Sequence, residues 1–149
     1  MNRLFGPQPE PGRRYVPRRG VYAIVLAGDG ILATFQERPL AELQLPGGGI
    51  DPGEAPLVAL HREVFEETGY RIHGPRRLGM FHRFTYMPDY DIWAQKLCTI
   101  YLAGLGPRLA EPSEPGHHPV FLPWDAAETE LGVEGDRVFV SRLRARLRV

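Results

Sequence analysis

Apolar positions come in short blocks, and their period changes along the chain. VYAIVLA at 21–27 and ILATFQ at 31–36 flank Gly28-Asp29-Gly30, a pattern that predicts a β-hairpin. From Pro56 the period lengthens to that of a helix, running to Thr68. Leu57, Leu60, Val64 and Thr68 share one side, with His61 and Phe65 near it, which predicts the core face. Pro56 suits the first turn and Gly69 the stop. RRLGMFHRFTYM (76–87) and KLCTIYLAGL (96–105) predict two more strands, joined by the loop MPDYDIW (87–93). A polar loop at 106–119 leads to a short strand, VFLP (120–123). Asp125 is placed to cap a short helix over 126–131. From Asp136 onward, Phe139, Leu143 and Leu147 stand at i, i+4 and i+8, one face of a closing helix.

Strands with helices at intervals predict a layered α/β (α+β) architecture. No repeat or internal boundary is visible, so 21–149 reads as one domain. Residues 1–20, rich in Pro, Arg and Gly, read as an N-terminal arm or tail.

Composition narrows the function classes. A chain of 149 residues is long enough to bury a core without staples. Its 18 basic and 18 acidic residues cancel, which argues against a broad nucleic-acid footprint and makes any anion recognition local. Cys98 is the only cysteine, so no internal disulfide forms; inside KLCTIYLA it reads as a small core hydrophobe. The first twenty residues lack the apolar segment of a signal peptide. No run reaches the roughly 18 apolar residues of a membrane span. The expectation is a cytoplasmic protein without a membrane contact.

Candidate chemistry sits on the helix at 56–68. Glu63, Glu66 and Glu67 fall together at i, i+3 and i+4, with Ala59 one turn back leaving room above them. Three carboxylates in one turn repel each other, and the negative end of the helix dipole disfavours them further. The placement makes sense if a cation sits there, and hard oxygen ligands suit magnesium or manganese. A merely solvated acidic face is the competing reading. Leu45-Pro46-Gly47-Gly48-Gly49 just upstream reads as a glycine-rich loop, where backbone can approach a ligand closely.

The segment GGIDPGEAPLVALHREVFEETGY resembles the Nudix box, G-x5-E-x7-R-E-U-x-E-E-x-G-U, with U an aliphatic or aromatic residue. Gly48, Glu54, Arg62, Glu63, Val64, Glu66, Glu67, Gly69 and Tyr70 match every fixed position. The resemblance to the Nudix hydrolase (MutT-like) family implies a mixed β-sheet sandwiched between α-helices. It implies a Mg2+- or Mn2+-dependent enzyme that cleaves a pyrophosphate bond in a nucleoside diphosphate linked to another group. Nucleoside triphosphates, nucleotide sugars and dinucleoside polyphosphates are the candidate substrates, ahead of RNA. It implies Glu66 and Glu67 as metal ligands, Glu63 as a ligand or the group acting on the attacking water, and the Gly47 carbonyl as part of the shell. Arg62 would hold Glu54 and the helix carboxylates in position, and Glu54 would orient through Arg62 or reach a metal-bound water.

Some members draw the general base from a later loop. Here Glu111, Glu114, His117 and His118 are candidates, with Glu114 preferred for its place ahead of VFLP. On the substrate side, Tyr86 and Tyr90 are candidates for stacking on a base and Arg38 for a phosphate contact. The alternative is a catalytically silent module that binds nucleotide without cleaving it, although the intact carboxylates argue for an enzyme. The resemblance also allows a homodimer.

Overall fold

The computed structural model describes residues 3–149. Its centre is the long strand β2 (Val16–Ala27), which turns through Gly28 and Asp29 into β3 (Gly30–Gln36). Ala27 pairs with Gly30 across a two-residue turn, as the Gly-Asp-Gly signal predicts. The short strands β1 (Arg3–Leu4), β4 (Glu42–Gln44) and β5 (Gly47–Gly49) precede α1 (Pro56–Thr68). Two long strands follow, β6 (Tyr70–Met87) and β7 (Ile92–Arg108), then β8 (His117–Pro123), α2 (Trp124–Glu130) and α3 (Glu134–Leu147). The strands form one mixed sheet in the order β1-β6-β7-β2-β3-β4, with β5 on β2 and β8 on β3.

Both faces of this sheet are covered, which makes it the mixed sheet between helices that the resemblance implied. Even-numbered β2 positions such as Ile24 join Phe81, Ile100, Val140 and Leu143 in the core under α2 and α3. Odd-numbered positions Val21, Ala23 and Val25 join Leu60, Val64 and Ala103 under α1. Alternation along a strand produces this two-sided burial directly. Cys98 is buried in the first of these cores. Among the described residues, no helix is long and apolar enough to cross a membrane.

Several boundaries differ from the sequence reading. The stretch set aside as an arm is partly sheet: Val16–Gly20 pair in parallel with Ala94–Cys98, Arg3 and Leu4 pair with β6, and Phe5 is buried. Its partners on β6 and β7 lie more than seventy residues away, beyond the reach of local pattern. The glycine-rich loop is a strand, with Gly47, Gly48 and Gly49 facing Tyr22, Val21 and Gly20. The loop at 87–93 shrinks to a tight turn because β6 and β7 extend to Met87 and Ile92. The polar loop at 106–119 shortens too, since β7 continues to Arg108 and β8 starts at His117.

The helix faces are also rotated from expectation. In α1 the buried positions are Ala59, Leu60, Val64, Glu67 and Thr68, while Leu57 is 44% exposed. Ala59 therefore packs in the core instead of leaving room above the glutamates. In α3 the buried line runs Asp136, Val140, Leu143, and Leu147 lies outside. The helix starts two residues earlier than expected and turns a carboxylate inward.

Candidate functional site

The helix α1 stops where its sequence says it must. Pro56 opens it, and Gly69 closes it in the left-handed region at φ 76°, donating its N–H to Phe65 O at 2.8 Å. A side chain on Gly69 would run into the Ala110 carbonyl. The last turn of the helix carries no basic residue.

Arg62 organises these carboxylates. Its Nε and Nη2 donate to the two oxygens of Glu54 at 2.7 and 2.8 Å. Its Nη1 donates to Glu63 Oε1 at 2.9 Å and reaches Glu66 Oε2 at 3.4 Å, while Nη2 also touches the Gly49 carbonyl at 3.2 Å. Glu54 in turn accepts the Asp51 N–H at 3.0 Å. The Arg62 hydrogen bonds, then the Asp51 N–H, hold the Glu54 carboxyl down at about 2. The Arg62 guanidinium moves the other way, its proton held more tightly by Glu54.

Glu67 is set apart from this network. It is 6% exposed, and its Oε1 accepts the Gly47 N–H at 3.0 Å. Burial pushes its carboxyl well above the ordinary range, and the charges of Glu63, Glu114 and Glu66 push in the same direction. Glu63 is raised for the same first reason, against the pull of Arg62. On the other side of Glu67, His117 Nδ1 stands 3.5 Å from Oε2 and 3.2 Å from the buried Thr34 hydroxyl. Burial lowers the His117 imidazole, which favours its neutral form.

Glu114 comes to this cluster from a distant loop. Its own N–H and that of Ser113 donate to Glu66 O at 2.9 and 2.8 Å, which pins the loop to the end of α1. All five glutamates named here line one cavity of about 1120 Å³. Tyr90 stands at its rim, with the Arg18 guanidinium 4.6 Å from its ring centre. Arg38 and Tyr86 are not part of the cavity wall; Tyr86 hydrogen-bonds to Asp91 across the β6–β7 turn. His118 and Glu111 are also elsewhere, paired with Glu37 and Arg108.

The far wall of the cavity carries polar groups that sequence reading did not bring together. Asp136, Arg83, Lys96 and Tyr22 meet there. Asp136 is 4% exposed, and burial raises its carboxyl to about 7 against the opposing charges of Arg83 and Lys96. Burial lowers Lys96. Register alone places Arg83 opposite Lys96, but the meeting with Asp136 required the packing of α3.

The donor set suits a hard divalent cation. Glutamate oxygens and a backbone carbonyl are its preferred ligands, and the cluster holds a negative excess that Arg62 alone does not balance. Among the described residues, no three such side chains already converge on one point, and Arg62 Nη1 bonds to Glu63 and reaches Glu66.

Residues 16–143 match the NUDIX domain model. A Bacillus subtilis (strain 168) protein named "Putative 8-oxo-dGTP diphosphatase" is 29% identical over 75 residues, half of each chain. An RNA pyrophosphohydrolase of Francisella tularensis subsp. mediasiatica (strain FSC147) is 39% identical over 54 residues, 36% of this chain and 35% of that one. The chain thus spans half or less of the length of these curated relatives. The solved NUDIX hydrolase from Nitrosomonas europaea superposes with a TM-score of 0.71 at 20% identity, covering 87% of this chain and 90% of that one, which shows a common fold.

Proposed function

The chain belongs to the NUDIX domain family, and on that premise we propose that it is a divalent-metal-dependent hydrolase of a pyrophosphate bond in a nucleoside diphosphate derivative. One observation carries the reading. A buried glutamate, Glu67, opens onto a large cavity together with Glu63, Glu66 and Glu114, and a single arginine, Arg62, holds Glu63 and Glu66 to Glu54 beside it. The relatives' names, a diphosphatase and a pyrophosphohydrolase, support it.

In this reading Glu63, Glu66 and Glu67, with the Gly47 carbonyl, hold Mg2+ or Mn2+. The ion, when bound, offsets the charge of the phosphate oxygens and acidifies a water. The protein's share is positioning and proton transfer. The Gly47 N–H fixes one Glu67 oxygen and leaves the other toward His117. Arg62 keeps Glu54 ionised and steers Glu63 and Glu66. Glu114, on the loop clamped to Glu66 O, takes the proton of the attacking water. Glu63 is the second acidic group in reach of that task. Tyr90 and Arg18 at the rim would contact the part of the substrate farther from the cleaved bond.

The test is a panel of nucleoside triphosphates, nucleotide sugars, dinucleoside polyphosphates and 5′-triphosphorylated RNA, with magnesium, with manganese and with chelator. Chelator-sensitive cleavage of a pyrophosphate bond is the expected result. Metal-dependent binding without any product overturns it in favour of a silent nucleotide-binding module.

A further inference from the structure

A second cleft lies outside the cavity just described. It is about 430 Å³ in volume and opens between β6 and the last two turns of α3. Its floor is apolar, formed in part by Leu78, Met80 and Phe139. Its rim carries Arg77, Arg142 and Arg146, and no acidic residue lines it. Among the described residues, none of these three arginines is in a salt bridge or side-chain hydrogen bond, whereas Arg144 on the same helix pairs with Asp125 and Glu128.

This concentration stands out against a chain whose net charge is 0. From Arg137 to Val149 there are five arginines and no acid, while the glutamates gather at the end of α1. Two arginines at i and i+4 repel, at roughly 0.2–0.5 kcal/mol per pair. The third faces them from β6, where the pairing with β7 slips between Arg77 and Gly79. Such bulges re-aim side chains and cluster at functional places. The absence of a side chain on Gly79 keeps the floor open beside the Phe139 ring.

We infer that this cleft binds a nucleoside monophosphate, separately from the carboxylate cavity. Guanidinium groups match phosphate oxygens in charge and in geometry. The apolar floor receives the base and sugar, and the volume falls within the range of small-molecule sites. Phe139 is the wall shared with the first cavity, since its ring lies 5.9 Å from that of Phe81, which lines the other side.

The test uses adenosine 5′-monophosphate as the probe, with inorganic phosphate alongside, followed by amide NMR in chelator so that no turnover is involved. The expected result is perturbation at 77–80 and 139–146, with the nucleotide binding more tightly than inorganic phosphate. Arg142→Gln/Arg146→Gln should weaken that binding about tenfold or more. Arg76→Gln/Arg148→Gln, which removes the same charge outside the cleft, should leave it intact. Perturbation confined to 47–67, equal affinity for nucleotide and phosphate, or equal weakening by both variants each overturns the inference. All four substituted positions are exposed, and thermal unfolding verifies the fold of each variant.

Discussion

The Arg62 guanidinium and the Glu54 carboxylate form a two-pronged pair, Nε to Oε2 at 2.7 Å and Nη2 to Oε1 at 2.8 Å. The pair ties the loop before α1 to the middle of the helix. It also leaves Nη1 as the one donor that steers Glu63 and Glu66. Lysine keeps the charge but not the fork. Arg62→Lys should therefore lower kcat about 10- to 100-fold and raise the magnesium needed for half-maximal rate. Steady-state kinetics against metal concentration checks this. An unchanged metal requirement would show that the fork does not position the ligands.

Glu67 should show opposite effects on activity and on stability. Its carboxyl is raised by burial, so the ionised form opposes folding at neutral pH when no cation is present. Glu67→Gln keeps an oxygen for the Gly47 N–H and removes the charge. In chelator the variant should melt higher than wild type, with about 2–4 °C for each kcal/mol relieved. It should also lose about 10²-fold or more of its metal-supported activity and its stabilisation by metal. Scanning calorimetry with and without magnesium separates the two effects.

Gly48 and Gly49 are adjacent on β5 yet differ in what a methyl group would meet. At Gly48 it would strike the Glu63 carboxylate, and at Gly49 nothing lies within 4 Å. Gly48→Ala should displace Glu63 and lower kcat about 10- to 100-fold. Gly49→Ala should stay within a few-fold of wild type. Equal effects at the two positions would mean that Glu63 moves aside without consequence.

Asp136 predicts a pH dependence of stability. Burial raises its carboxyl to about 7 in the fold, while Arg83, Lys96 and the Leu45 backbone act against this and Glu42 adds to it. The unfolded value is about 4. Between these values the folded state holds the extra proton, so stability contributed by Asp136 is complete below about 4 and is lost as pH rises toward 7. The slope from this one group reaches at most about 1.4 kcal/mol per pH unit. Asp136→Asn should remove that decline, so its stability relative to wild type should grow from pH 4 to 7. Urea unfolding at several pH values measures it, and parallel curves for the two proteins would contradict it.

Local signals were enough for α1 and the first hairpin. Pro56, Gly69 and the spacing of Leu60, Val64 and Thr68 act within a few residues, and so do Gly28 and Asp29 at their turn. The spacing of Glu63, Glu66 and Glu67 likewise placed three carboxylates on neighbouring positions before any packing was known. Helical period is a property of the backbone alone, so it survives without tertiary context.

What the sequence did not decide depends on partners far along the chain. Val16–Gly20 become strand only because β7 lies beside them in parallel, and the three glycines become strand only against β2. Glu114 reaches the cluster through two backbone hydrogen bonds to Glu66 O, while Tyr86, on the same hairpin as Tyr90, pairs with Asp91 away from the cavity. Asp136 faces inward because α3 buries the line Asp136–Val140–Leu143 instead of the one through Phe139 and Leu147. Period and capping determined which elements form and which carboxylates share a helix. Only burial and long-range pairing decided which face turned inward and which distant residues met them, because both depend on surfaces that do not exist until the sheet is assembled.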